Sequence, residues 1–114
     1  MIHTDYSWEI REREGLLLVR LSGEIDHHNA VRLRGDVDEL LLGKRPRRLV
    51  LDLSRVDFMD SAGIGFLMGR CRLMRELGGV LAVKSPTPRV AKMLQLCGME
   101  RFMEIDTGRK EEKT

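Results

Sequence analysis

The sequence predicts an α/β domain: a mixed, mostly parallel β-sheet that opens with an antiparallel pair and has helices packed against it. Three observations carry this expectation. Short apolar runs of strand length alternate with stretches whose apolar residues recur at helical spacing, in the order strand, helix, strand, helix, strand. Before that series, Glu12-Arg13-Glu14-Gly15 separates two strand-like segments closely enough to pair them antiparallel. Gly43, Gly78-Gly79 and Gly98 then fall where the helical stretches end.

Taken in order, Tyr6-Ser7-Trp8-Glu9-Ile10 alternates apolar and polar residues and pairs with Leu16-Leu17-Leu18-Val19-Arg20-Leu21. From Asn29 to Leu42, the residues Ala30, Leu33, Val37, Leu40 and Leu41 mark one face of a helix, with Gly43 at its end. Lys44 to Arg48 reads as a surface loop. Leu49-Val50-Leu51-Asp52-Leu53 is short and nearly continuously apolar, as a strand covered by crossover helices must be. A second helix starts at Ser61, carries Ile64, Leu67, Met68, Cys71 and Met74, and stops at Gly78-Gly79 before the strand Val80-Leu81-Ala82-Val83. Ser85-Pro86-Thr87-Pro88 offers hydroxyl caps and a first-turn proline to a third helix bearing Val90, Met93, Leu94 and Cys97. Phe102-Met103-Glu104-Ile105 is expected to add a last short strand.

A chain of 114 residues encloses one core, so a single domain is expected over residues 1–107, followed by a charged, frayed tail over 108–114. Charged residues make up 33% and nearly cancel to +2, which argues against a general binder of nucleic acid or anionic membrane. No leader pattern opens the sequence and no apolar run approaches the ~20 residues needed to cross a bilayer, so the expected location is the cytoplasm. Cys71 and Cys97 lack the spacing of a zinc or redox pair and read as buried free thiols.

Chemistry concentrates where strands end and helices begin. Parallel sheets gather those ends on one edge, which would bring Asp26 of Ser22-Gly23-Glu24-Ile25-Asp26-His27-His28 near Ser61 of Val56-Asp57-Phe58-Met59-Asp60-Ser61. A helix start leaves N–H groups unpaired and partly positive, so Ser61 can cap its helix and can also hold a phosphate there. Asp26 likewise reads either as the cap of the first helix or as a recognition residue.

Several rival chemistries fail on spacing. The nucleophile elbow needs Gly-x-Ser-x-Gly, and Met59 stands at its first glycine. The nearest histidines, His27 and His28, precede the serine, whereas the hydrolase order puts histidine last. Gly63-Ile64-Gly65-Phe66-Leu67-Met68-Gly69 misplaces the third glycine of a dinucleotide loop, and no phosphate-cradling loop is present. Gly63, Gly65 and Gly69 either allow close packing on the sheet or leave the helix bare for a partner. Adjacent His27 and His28 are expected to point apart, and nothing completes a metal site. Lys44-Arg45-Pro46-Arg47-Arg48 lacks interleaved aromatics and reads as a solvated loop.

Gly23-Glu24-Ile25-Asp26-His27-His28, followed by Phe58-Met59-Asp60-Ser61-Ala62-Gly63-Ile64-Gly65, resembles the anti-sigma factor antagonists of the STAS domain family, the sporulation members above all. The likeness runs from about Tyr6 to Ile105; either motif alone is weak, and the two together are specific. The resemblance implies a STAS-type fold and a partner switch without catalytic activity or cofactor. The unphosphorylated protein would bind an anti-sigma factor that is also an ATP-dependent serine kinase, freeing a sigma factor for transcription. Phosphorylation of Ser61 would break that complex, and a serine phosphatase would restore it. Neither nucleic acid nor membrane would be bound directly.

By the same resemblance, the partner surface would comprise Glu24, Asp26, His27 and His28 with Asp57, Met59, Asp60, Ser61, Ala62, Gly63, Ile64 and Gly65. Asp57 and Asp60 would guide the kinase. Ala62 stands where many sporulation members have a second serine, and the stretch after Ile105 is shorter than their terminal helix. The first departure directs modification to Ser61; the second leaves a stress-response relative open. Two other readings are an accessory STAS subunit of a membrane transporter and a small serine hydrolase.

Overall fold

The computed structural model describes residues 6–108; the expected tail from Arg109 onward lies outside them. Eight principal elements follow one another as β1 (Tyr6–Arg13), β2 (Leu16–Ile25), α1 (Ala30–Lys44), β3 (Arg48–Met59), α2 (Ser61–Glu76), β4 (Val80–Lys84), α3 (Pro88–Leu96) and β5 (Glu104–Asp106), with a 3-10 turn at Met99–Arg101. The strands form one sheet in the order β1-β2-β3-β4-β5, antiparallel between β1 and β2 and parallel elsewhere. The expected architecture is therefore present, with β1 to β4 longer than the apolar runs that announced them.

The core follows from register. Leu17 and Val19 of β2 stand beside Leu49 and Leu51 of β3, which stand beside Leu81 and Val83 of β4. Side chains alternate across a strand, so these residues share one face, where they pack with Leu33, Val37 and Leu41 of α1, Phe66, Leu67 and Met74 of α2, and Val90 and Leu94 of α3. Right-handed crossovers taken always in the same direction place all three helices on that face. Arg70 of α2 is buried beside Asp38 of α1, with Nε 2.7 Å from Oδ1, and clasps the two helices together.

The other face is polar along one row. Glu9, Arg20, Asp52, Lys84 and Asp106 are successive register partners across all five strands, alternating in sign. Arg20 reaches Asp52 at 3.3 Å and Glu9 at 3.6 Å. Asp52 is buried, and desolvation pushes its carboxyl up. The Ser54 backbone N–H at 2.9 Å and the Arg20 guanidinium outweigh this and hold the group below the ordinary aspartate value of 3.8.

Several boundaries differ from expectation for identifiable reasons. Ser22–Ile25 and Val56–Met59, expected in loops, continue β2 and β3. Two register shifts between these strands insert extra residues into β3, so its buried positions fall at Leu53, Val56 and Met59, a spacing of three that hides a strand. α1 runs past Gly43 to Lys44 and is closed by Arg45 in the left-handed region at φ 45°. Phe102 lies in the turn after the 3-10 segment, and β5 begins at Glu104. Cys71 is buried as expected but Cys97 is exposed, because it caps the far end of α3. Thr87 and Pro88 open α3 as expected, the Thr87 hydroxyl accepting from the Val90 N–H.

Leu51→Ala should lower the free energy of unfolding by about 2–5 kcal/mol in urea titrations, whereas Leu96→Ala, on the exposed side of α3, should stay within about 0.5 kcal/mol. Asp52 has a folded pKa below its unfolded one, so its stabilisation is full above the unfolded value and is lost as pH falls through the folded value. Wild type should therefore lose more stability than Asp52→Asn when the pH is lowered below about 4.

Candidate functional site

The site lies where β2 passes into α1 and β3 passes into α2, and a single carboxylate joins the two connections. Asp60 has extended backbone geometry and is the N-cap of α2; its Oδ1 accepts from the Ala62 N–H at 2.8 Å. Its Oδ2 accepts from the His27 N–H at 3.2 Å and lies 3.3 Å from the His27 Nδ1. The main chain closes the junction further, with the Asp60 N–H donating to the Ile25 carbonyl at 3.3 Å. Ser61, expected as a possible cap, is instead the first residue inside the helix. Two capping residues stand side by side in sequence, and the strand end decides in favour of Asp60.

Ser61 is exposed, and its hydroxyl has no hydrogen-bond partner among the described residues. The amides beyond it are already used: Gly63 and Ile64 donate to the Asp60 carbonyl at 2.9 and 3.3 Å. Desolvation raises the Asp60 carboxyl, but the Ala62 N–H and the His27 ring and amide outweigh it, leaving its pKa below 3.8. Asp60 therefore remains an anion and a working cap throughout the neutral range.

The turn from β2 to α1 is held from within. Asp26 Oδ1 accepts from the His28 and Asn29 N–H groups at 3.0 and 3.2 Å, and Asn29, fully buried, donates from Nδ2 to the Glu24 carbonyl at 2.7 Å. Asn29, not Asp26, is the N-cap residue of α1; Asp26 organises the turn before it. Of the two Asp26 readings, the capping one thus moves one turn earlier. The His27 and His28 rings do not point apart: their centroids are 4.0 Å apart with the planes tilted by 36°.

The expected partner surface separates into two groups. Glu24, Asp57, Ser61 and Gly65 are exposed with both histidines, while Asp26, Asp60, Ala62 and Ile64 are half-buried around them. Met59 and Gly63 are buried and face inward. A Cβ on Gly63 would lie 2.2 Å from the Met59 Cγ and 2.9 Å from the Ile25 carbonyl oxygen, so only glycine lets α2 start this close to β2. Gly65 and Gly69 have open space where a Cβ would stand and leave the flank of α2 bare. Phe58, 39% exposed, and Val31, 68% exposed in the first turn of α1, add apolar surface that the motif reading left out. The signal for Phe58 was its place between Val56 and Met59 in the three-residue pattern of a bulged strand.

This geometry is that of a known domain. The STAS domain profile matches residues 7–112. The chain belongs to the STAS domain family. A similar protein is the anti-sigma F factor antagonist of Paenibacillus polymyxa, 38% identical over 97 residues that cover 85% of this chain and 83% of that one. Among solved structures, the unphosphorylated form of the anti-sigma factor antagonist SpoIIAA superposes with a TM-score of 0.74 at 26% identity, covering 89% of each chain. The phosphorylated form of the Bacillus cell fate determinant SpoIIAA gives 0.67 at 25% identity, covering 89% of this chain and 92% of that one. No helix among the described residues of this STAS domain is long and apolar enough to cross a membrane.

Replacing Asp60 by Ala should cost about 1 kcal/mol of folding stability through the lost cap, and Ser61→Ala less than about 0.5 kcal/mol, measured by denaturant titration of both variants. The reverse order would return the cap to Ser61.

Proposed function

We propose that this STAS domain is an anti-sigma factor antagonist controlled by phosphorylation of Ser61. In this reading the unphosphorylated domain binds an anti-sigma factor that is itself a serine kinase, and a sigma factor is released. The kinase transfers the γ-phosphoryl group of ATP to the Ser61 Oγ, giving phosphoserine, ADP and a proton, and the complex parts. A phosphatase uses water to cleave the phosphate ester, returning the hydroxyl and releasing inorganic phosphate. The domain acts in the cytoplasm, where ATP and the transcription machinery are found, and binds neither DNA nor membrane itself.

The observation that carries this reading is the Ser61 hydroxyl: exposed, without an internal partner, and set between the two connections of a STAS domain whose relatives are named antagonists. Ser61 is taken as an acceptor rather than a catalyst, since among the described residues no imidazole is hydrogen-bonded to its hydroxyl to serve as a base. The exposed residues Glu24, His27, His28, Asp57 and Gly65 and the half-buried Asp26, Asp60, Ala62 and Ile64 are proposed to meet the partner. Met59 and Gly63 serve by packing beneath it. The solved neighbours include a phosphorylated and an unphosphorylated form on one fold, which supports a switch that needs no unfolding.

Magnitudes allow it. Phosphorylation adds about −1.5 to −2 charges, and at ~8 Å from one partner carboxylate with an effective dielectric near 20 this costs roughly 3–4 kcal/mol, at least a hundredfold in affinity. Incubation with ATP and the anti-sigma factor kinase captured from the native cell extract should add one phosphate to wild type, mapped to Ser61 by mass spectrometry. Ser61→Ala should bind the same partner and gain none. Capture of transporter components, with no phosphate on the protein from any growth condition, would overturn the assignment.

A further inference from the structure

We propose that His27 is the internal counter-ion of a phosphoryl group on Ser61: on modification its imidazole exchanges the Asp60 carboxylate for the phosphate, while the backbone bonds from the His27 N–H to Asp60 and from the Asp60 N–H to Ile25 keep the two turns joined. This rests on the phosphoacceptor reading of Ser61 and adds which side chain of the β2–α1 turn meets the phosphate.

A new dianion at Ser61 finds few donors. The first-turn amides of Ala62, Gly63 and Ile64 are already bonded to the side chain or carbonyl of Asp60. The two turns, residues 22–29 and 56–62, contribute four carboxylates, Glu24, Asp26, Asp57 and Asp60, and only His27 and His28 can bring positive charge. Cations of the neighbouring elements include Arg32 and Arg34 of α1, Arg55 of β3, Lys84 of β4 and Arg89 of α3. Arg32 lies over the Tyr6 ring at 5.5 Å, and Lys84 belongs to the charged row on the opposite sheet face.

His27 is placed for the exchange. Its Nδ1 is 3.3 Å from Asp60 Oδ2, and its side chain is 72% exposed. Asp60 and Ser61 are consecutive, with Cα atoms ~3.8 Å apart, so a phosphoserine oxygen and the Asp60 carboxylate compete for the same imidazole. A phosphate with about two negative charges and three strong acceptor oxygens wins that competition against a single carboxylate that the Ala62 N–H also occupies. The His28 ring, with its centroid 4.0 Å from that of His27, is the one other imidazole of the two turns and so the rival cation.

The test uses protein with phosphoserine installed at position 61 during synthesis, so no kinase is required. Histidine ring and phosphorus NMR titrations are run on unmodified and phosphoserine-61 protein, each with and without His27→Gln or His28→Gln. The expected result is a rise in the His27 pKa by about one unit on phosphorylation. In His27→Gln the second phosphate ionisation, normally near pH 6, should rise by about half a unit. An unchanged His27 titration, or a phosphate ionisation that responds to His28→Gln and not to His27→Gln, overturns the proposal. Failure of the phosphoacceptor reading would appear elsewhere, as protein from cells that never carries phosphate on Ser61.

Discussion

The Asp60 carboxylate is the interaction on which the site depends. One oxygen starts α2 by accepting the Ala62 N–H; the other holds the turn before α1 through His27. Neither task alone would define a functional surface. Performed by one side chain, they fix two chain segments 33 residues apart in sequence against each other and leave the adjacent hydroxyl free. Burial of Asp60 would raise its pKa, yet its hydrogen bonds hold it ionised, so the latch does not loosen near neutral pH.

That junction is possible because of what lies under it. Gly63 lets α2 begin against the Ile25 carbonyl and the Met59 side chain, and the bulges in β3 turn Asp57 and Phe58 outward in succession while Val56 and Met59 stay in the core. The rest of the sheet is a rigid mount: two apolar rows in register beneath the helices, and a row of alternating charges on the opposite face. A switch built on such a mount can change its partners by chemistry at one surface atom, without repacking the core.

Much of this was legible in the sequence. Alternating apolar runs and helical faces gave the sheet and its crossovers, and the strand-to-helix break at Asp60-Ser61 marked the site. What stayed hidden depended on pairing. The bulges of β3 replace a period of two by one of three, so a continuous strand read as a strand and a loop. Asp60 and Ser61 both suit an N-cap, and only the position of Ile25 and His27 selects the aspartate. Asn29 looked like an ordinary helix start; that it is buried and bonded to Glu24 emerges only when the turn is folded. Cys97 shared an apparent apolar face with Val90 and Leu94, but the end of α3 turns it to solvent.

The central claim is that a charge at residue 61 governs a protein–protein contact on a fold that does not otherwise change. Its most direct measurement is calorimetric titration of the purified anti-sigma factor into unmodified and phosphoserine-61 protein at the same pH and salt. The account predicts at least a hundredfold weaker binding of the modified form, with the same circular dichroism spectrum for both. Equal affinities would contradict it.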